Sequence, residues 1–178
     1  MKPRLKSFPA AMTIGGAGIV AIGLACYAAG MRVNTSKSIA LGIYWTSAEP
    51  VRKGAYVLLC PPQVGVIEEA RRRGYLAYGF CPGNYGYLMK KVFAVAGDTV
   101  DIGDAGVSVN DLLLPFSMPL KHDTAGRPLP RYQASHFVIG NSELLLMSDA
   151  SSTSFDGRYF GPVNRSQIKT VIVPVFTW

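Results

Sequence analysis

The sequence predicts a mostly β, antiparallel domain with a short helical insertion, preceded by one N-terminal transmembrane helix. Residues 8–31 contain no charged side chain, whereas after Asn34 the chain changes to short alternating runs rich in β-branched and aromatic residues. Hydrophobic residues make up 49% of the 178 residues and the mean hydropathy is +0.21, which is high for a soluble domain. A chain of this length is expected to form one folded unit in addition to the anchor.

The uncharged run at residues 8–31 has the length of a membrane-spanning helix, because about 20 apolar residues cross the hydrocarbon core of a bilayer. Three basic residues lie within residues 1–7. The positive-inside rule therefore predicts a cytoplasmic N-terminus and an exported domain over residues 32–178. The alternative is a cleavable signal peptide, for which Ala28, Ala29 and Gly30 supply small residues. The apolar run is longer than a usual signal-peptide core of about 7–15 residues, which favours an uncleaved anchor.

The exported part alternates β-forming segments with turn residues. The predicted strands are residues 43–45, 56–59, 87–95, 99–102, 106–110, 136–139, 144–147 and 170–176. Two segments rich in turn residues, 79–86 and 123–130, predict loops. The domain is therefore expected to be mostly sheet.

The segment 60–81 predicts a helical insertion. Two prolines at its start precede a helical pattern over about residues 64–73, which Gly74 ends. Cys60 and Cys81 bound the segment and are the two cysteines of the exported part, so a disulfide is expected in an oxidising compartment. Zinc is disfavoured because the two cysteines lack the close spacing of a metal site and both histidines lie far away in sequence.

The positive charge does not indicate a nucleic-acid-binding protein. The formal net charge is +7, but it is spread along the chain, and the one compact basic run is Arg71, Arg72 and Arg73. Nucleic-acid binding would favour a broad basic surface with interleaved aromatic residues. The three arginines are better explained as the solvated face of the predicted helix.

A lysine is the candidate general base. The chain has two histidines, His122 and His136, and the neighbours of neither one indicate a Ser-His-Asp triad. A lysine can accept a proton only when its amine is neutral, and burial among apolar side chains lowers its pKa in that direction. Lys90 and Lys91 both lie in an apolar predicted strand and point to opposite faces of it. Periodicity alone does not say which of the two is buried.

Three segments resemble type I signal peptidases. Residues 87–100 resemble the catalytic-lysine strand that ends in Gly-Asp, residues 36–42 resemble the nucleophile segment after the anchor, and residues 154–161 resemble a late S-x-D-S-R-Y-x-G segment. Residues 34–45 and 53–57 also share the N-x-S-x-S, G-I-Y-W and K-G-x-Y-V stretches of the TraF-type peptidases of conjugative plasmids. The resemblance implies a β fold like that of signal peptidases and self-cleaving repressors, with no cofactor and no metal.

The same resemblance assigns roles to residues. It implies that Ser38 is the nucleophile and Lys90 its general base. The Ser38 amide and the Ser36 hydroxyl would form the oxyanion hole. The supporting residues would be Ser154, which orients the Lys90 amine, and the pair Asp156 and Arg158, which holds the loop.

The sequence departs from the family pattern at four places, so the resemblance does not predict the details of the substrate pocket. Ile39 stands where methionine is common, Ala40 where proline is usual and Lys91 where arginine is usual. The Gly-Asp-Asn of the late motif appears as residues 148–150, Ser-Asp-Ala.

The function implied is a membrane-anchored endopeptidase on the periplasmic side of a bacterial inner membrane. Its substrate would be a membrane-tethered pilin precursor, its neighbours conjugative type IV secretion components, and its product a head-to-tail circular pilin formed through an acyl-enzyme. Plain hydrolysis, as in general signal peptidases, is the first alternative. A non-catalytic assembly subunit is the second, against which the intact Ser38, Lys90 and Ser154 argue. A self-cleaving repressor relative is the third, and it would not need an anchor.

Overall fold

The structure is a computed structural model that describes residues 8–178, with side chains from Gly16 onward. The chain divides into two compact units after Arg32. The first unit contains helix α1 (Phe8–Ala28). A search of the described residues finds no helix that is both long and apolar enough to span a bilayer. The predicted cytoplasmic segment, residues 1–7, lies outside the described residues.

The remaining elements follow in chain order. They are β1 (Met31–Asn34), β2 (Gly42–Ser47), β3 (Tyr56–Leu59), α2 (Gly65–Arg72), β4 (Tyr78–Cys81), β5 (Leu88–Ala94), β6 (Thr99–Gly103), β7 (Gly106–Val109), β8 (Leu112–Leu113), β9 (Ala134–Val138), β10 (Glu143–Met147), α3 (Gly157–Phe160), β11 (Val163–Asn164) and β12 (Ile168–Thr177). Two single 3₁₀ turns, Pro82–Asn84 and Arg165–Gln167, complete the set.

Two antiparallel sheets form the second unit. The larger has seven strands in the order β1-β2-β12-β3-β5-β10-β11, and the smaller has four in the order β8-β7-β6-β9. Strand β5 lies inside the larger sheet, between β3 and β10, with both pairings antiparallel. The prediction of a mostly β, antiparallel domain with few helices is confirmed.

Separate apolar clusters bury the two sheets. One joins β3, β5 and β10 to the insertion through Ile67 and Ala70 of α2, both 2% exposed or less. The other joins β6 and β7 to Leu145 and Met147 of β10. Strand β10 thus contributes to both clusters, because its residues 144–147 are all buried. Strands β5 and β10, which pair side by side, therefore pack against both clusters.

The helix of the insertion forms one residue inside its predicted bounds at each end, over Gly65–Arg72, since φ of −125° and ψ of 152° keep Val64 outside it. One local prediction needs correction. The predicted loop at residues 79–86 contains most of β4 and a 3₁₀ turn. Tyr78 and Cys81 both form bridge pairings with Tyr85, so the chain folds back on itself there.

Candidate active site

Three predicted site residues meet through one amine. Lys90 Nζ donates a hydrogen bond to Ser38 Oγ at 2.8 Å and another to Ser154 Oγ at 2.6 Å. The serines lie 52 and 64 residues from the lysine in sequence, so the contact depends on the tertiary fold. A nucleophilic hydroxyl within hydrogen-bond reach of a base, with a third group orienting that base, is the arrangement that serine acyl transfer requires.

Strand β5 separates the two neighbouring lysines. Lys90 is opposite Val57 of β3 and is 1% exposed. Lys91 points to the other face, where its side chain is 30% exposed and its amine lies 3.1 Å from the Asp149 carboxylate. Because successive side chains of a β-strand point to opposite faces, Lys90 is buried, whereas Lys91 lies beside a charged partner.

Burial lowers the pKa of the Lys90 amine from 10.5 to about 8. Loss of hydration is the main cause of this shift. The Asp156 carboxylate raises the pKa of the amine, whereas the Arg158 guanidinium lowers it further. The lower pKa increases the neutral fraction of the amine at neutral pH. A neutral amine at this position can accept the proton of the Ser38 hydroxyl.

Asn34 organises the turn that presents Ser38. This asparagine is 3% exposed, and its amide nitrogen donates to the carbonyls of Ser36, Ile39 and Ala40 at 2.8, 3.0 and 3.0 Å. Its Oδ1 accepts from the Ser36 amide at 3.1 Å. The predicted site omitted Asn34, although it is the first residue of the N-x-S-x-S stretch. That motif was the signal that could have identified it.

Two further contacts hold the same turn. Ile39, next to the nucleophile, is completely buried and packs with Tyr44, Leu58 and Ile172. The Tyr44 hydroxyl donates to the Ala40 carbonyl at 2.7 Å. Ser38 itself is half-buried, so the turn is anchored by its neighbours while the nucleophile stays accessible.

The Ser36 hydroxyl is already engaged in a hydrogen bond with the Asn34 side chain. It is exposed and donates to Asn34 Oδ1 at 2.9 Å. An oxyanion donor must lie about 2.7–3.1 Å from the developing charge. Ser36 would therefore have to rotate from Asn34 toward a bound substrate to take the role predicted for it.

A buried ion pair supports the other side of the site. Asp156 and Arg158 are both 0% exposed, and the guanidinium meets the carboxylate in two parallel contacts of 2.8 and 2.9 Å. Arg158 also donates to the Ser152 carbonyl at 2.8 Å, and the Asp156 carboxylate accepts from the Ser148 amide at 3.0 Å. These contacts span residues 148–158 and so fix the segment that carries Ser154.

A cleft of about 320 Å³ opens beside the two serines. Its lining residues are Lys37, Ser38, Tyr75, Leu120, Asp123, Thr124, Leu129, Ser151, Thr153, Ser154, Phe155 and Tyr159. His122 and His136 are exposed and belong to neither the lining nor the lysine contacts. The chemistry available at this cleft is therefore that of a serine and a buried amine.

The segment 60–81 reaches the same cleft. A disulfide joins Cys60 to Cys81, which are both at most 5% exposed, and α2 lies inside the loop that it closes. Tyr75, near the end of this insertion, lines the cleft together with Ser38. The insertion therefore forms part of the cleft wall.

Comparisons with known proteins find chains that are similar to this one. The family model described as "Signal peptidase, peptidase S26" matches residues 17–178. The chain is 61% identical over 174 residues to plasmid transfer protein TraF of Escherichia coli, covering 98% of both chains. It is 37% identical over 162 residues, 90% of each chain, to conjugal transfer protein TraF of Agrobacterium tumefaciens. A solved signal peptidase I from Enterococcus faecalis matches with a TM-score of 0.41 at 15% identity, covering 71% of this chain and 100% of that one.

Proposed function

The chain belongs to the peptidase S26 family of signal peptidases, and from that premise we propose that it is a membrane-anchored serine endopeptidase with a Ser38–Lys90 catalytic dyad. Membership of the family implies serine peptidase activity. The proposal adds which residues perform it, where in the cell, and on what substrate.

The buried lysine is the observation that carries the dyad. Both hydrogen-bond partners of its amine are neutral hydroxyls, so a protonated Lys90 would be a buried charge without direct compensation. Such a charge destabilises a fold unless the group loses its proton. A lysine at this position is therefore poorly explained as a structural residue and well explained as a base.

The proposed reaction begins with transfer of the Ser38 proton to the Lys90 amine over their 2.8 Å hydrogen bond. The Ser38 oxygen attacks the scissile carbonyl, and the Ser38 amide and a rotated Ser36 hydroxyl stabilise the oxyanion. Lys90 then returns the proton to the departing amine, which leaves an acyl-enzyme on Ser38. Ser154 keeps the lysine amine in place throughout.

The proposed substrate is a membrane-tethered pilin precursor, processed on the periplasmic side of a bacterial inner membrane. Both relatives named above are transfer proteins of plasmid or conjugal systems. The proposed anchor rests on the sequence alone, in which residues 8–31 carry no charge and follow three basic residues. The Cys60–Cys81 disulfide fits an exported domain, because such bonds persist in oxidising compartments.

We further propose that the acyl-enzyme is resolved by the precursor's own N-terminal amine. A tethered amine has a high effective concentration, and the insertion in the cleft wall would shield the acyl-enzyme from water once substrate fills the cleft. Neutral Lys90 would take a proton from the incoming ammonium. The new amide bond would then form as the ester bond to Ser38 breaks, and the proton lost by the attacking amine would pass through Lys90 to the Ser38 oxygen. The product is then a head-to-tail circular chain rather than a hydrolysed linear one.

Incubation of pilin precursors with the wild type and with Ser38→Ala, followed by mass measurement of the products, tests both proposals. A circular product is lighter by one water than the linear chain cut at the same bond. Mature products that all retain that water and a free N-terminus would reduce the reaction to hydrolysis. Equal processing by Ser38→Ala would rule out Ser38 as the nucleophile. Absence of processing by either protein would favour the non-catalytic assembly subunit.

A further inference from the structure

The cleft continues past Ser38 and Ser154 to an apolar wall that the proposed chemistry does not use. Its large apolar side chains are Tyr75, Leu120, Leu129, Phe155 and Tyr159. At about 320 Å³ the cleft lies within the range of roughly 300–1,000 Å³ typical of ligand pockets. A small side chain such as that of alanine would leave most of this space to water.

The aromatic part of the wall is organised before any ligand binds. Phe155 stacks on Tyr159 with ring centroids 5.3 Å apart and ring planes 4° apart, and Tyr75 packs against Phe155 at 5.6 Å. Tyr159 is 4% exposed, and its hydroxyl accepts from the Leu120 amide at 3.1 Å. A wall fixed in this way loses little conformational freedom when a side chain packs on it.

Tyr75 is the member of the wall that the insertion contributes. Its hydroxyl donates to the Asp123 carboxylate. That carboxylate also accepts from Arg127 Nε at 2.6 Å and from the Ala125 amide at 2.9 Å. The phenol ring is thereby held toward the cleft from two sides, by Asp123 at its hydroxyl and by Phe155 at its face.

A second contact joins the insertion to the same loop. Arg73 donates to the Pro128 carbonyl at 2.7 Å. The loop at residues 120–129 and the insertion are therefore connected at Tyr75 itself and at Arg73, two residues before it, and both segments supply lining residues. The position of Tyr75 depends on this pairing of two segments that are distant in sequence.

We propose that this wall is a subsite for a large apolar side chain of the polypeptide substrate, and that Tyr75 is a specificity-determining residue there. The inference rests on the proposed peptidase function, since it names the substrate side chain that the same cleft accepts. Burial of a large apolar side chain against a preformed apolar wall is favourable because the surfaces of both leave water. The polar rim, which includes Thr124 and Ser151, suits the backbone of an extended peptide.

A binding experiment on Ser38→Ala protein tests the subsite without turnover. Fluorescent peptides spanning the scissile bond would carry leucine or alanine at one position at a time, and their Kd values would be compared. We expect one position at which leucine binds about tenfold or more tightly than alanine. Addition of Tyr75→Ala should abolish that preference. Tyr75→Phe keeps the ring and its contact with Phe155 but loses the bond to Asp123, so it should retain a weaker leucine preference.

Two further variants control for folding and location. Tyr78→Ala removes a tyrosine of the same insertion that is 80% exposed and does not line the cleft, so the preference should persist. Thr124→Trp changes an exposed lining residue and should fill the cleft, weakening binding of the leucine peptide while sparing the alanine peptide. Absence of any leucine preference, or a preference that survives both Tyr75→Ala and Thr124→Trp, would overturn the proposal.

Cleavage of the same peptides by the wild type separates the proposed subsite from the proposed peptidase function on which it rests. Cleavage without a leucine preference would eliminate the subsite and leave the peptidase. A leucine preference with no cleavage of any peptide would support the subsite and contradict the proposed function.

Discussion

The two sides of the site are held by different means. On the nucleophile side, residues 34–40 form a turn organised by the neutral side chain of Asn34, and Ser38 remains half-buried. On the lysine side, residues 148–158 are fixed by a completely buried ion pair, and Lys90 is 1% exposed. The substrate must reach the nucleophile, whereas the base must be kept from water to lose its proton. The difference in burial follows from these separate requirements.

The Asn34 hydrogen bonds and the buried ion pair should also contribute different amounts to the free energy of unfolding. A neutral hydrogen bond contributes a net stabilisation of about 1 kcal/mol. Removal of one partner of a buried ion pair costs about 3–5 kcal/mol, because it leaves the other charge buried and uncompensated. Mutations on the lysine side are therefore expected to affect folding more than those on the nucleophile side.

The largest effect is expected from removal of the base. Lys90→Ala should lower the processing rate by about 10³-fold or more without unfolding the domain, because Ser38 would lose its proton acceptor. Lys91→Ala is the matched control, since the neighbouring lysine faces Asp149 and should change the rate only a few-fold. Rates on a purified precursor, with circular dichroism to check folding, measure both. A Lys90→Ala rate within a few-fold of wild type would exclude the dyad.

The next largest effect is expected on stability, when the buried ion pair on the lysine side of the site is broken. Arg158→Met should destabilise the protein by about 3–5 kcal/mol, since Asp156 would remain buried without its partner. Arg52→Met removes an arginine from a solvent-exposed pair with Glu49 and should cost less than about 1 kcal/mol. Urea unfolding of both variants gives the comparison. If both variants lose the same free energy of unfolding, the buried pair contributes no more to stability than a surface pair does.

The smallest effect is expected on the nucleophile side. Asn34→Ala should cost about 1–3 kcal/mol, because several carbonyls of the turn lose a donor, and should slow processing by about 10–100-fold as Ser38 loses its position. Urea unfolding and single-turnover rates measure the two effects separately. If Asn34→Ala destabilises the protein as much as Arg158→Met does, the contrast between the two sides is wrong.

The sequence predicts local elements and the candidate residues better than it predicts how they meet. The strand containing Lys90 and the helix of the insertion both have periodic patterns, and they form within one or two residues of the predicted bounds. The alternation of that strand could not say which lysine is buried, because Lys90 and Lys91 are equivalent until β3 and β10 pair beside them. The structure resolves this choice.

Long-range placement explains the remaining differences. Strand β12, at the end of the chain, lies between β2 and β3, and nothing in its own pattern specifies those neighbours. Strand β4 needs Tyr85 beyond the intervening 3₁₀ turn to form its pairing. Asn34 acquires its role only when the chain curls so that three carbonyls face one amide. Such contacts depend on the backbone path rather than on residue type.

The pH dependence of single-turnover processing tests most directly whether buried Lys90 is the base. Burial lowers the pKa of this amine to about 8, and the reactive form is the neutral one. The rate should therefore rise about tenfold per pH unit below that value and level off above it, and Lys91→Ala should leave the midpoint unchanged. A midpoint near about 6.5, typical of histidine, or a rate that does not change between about pH 6 and 9, would contradict the account.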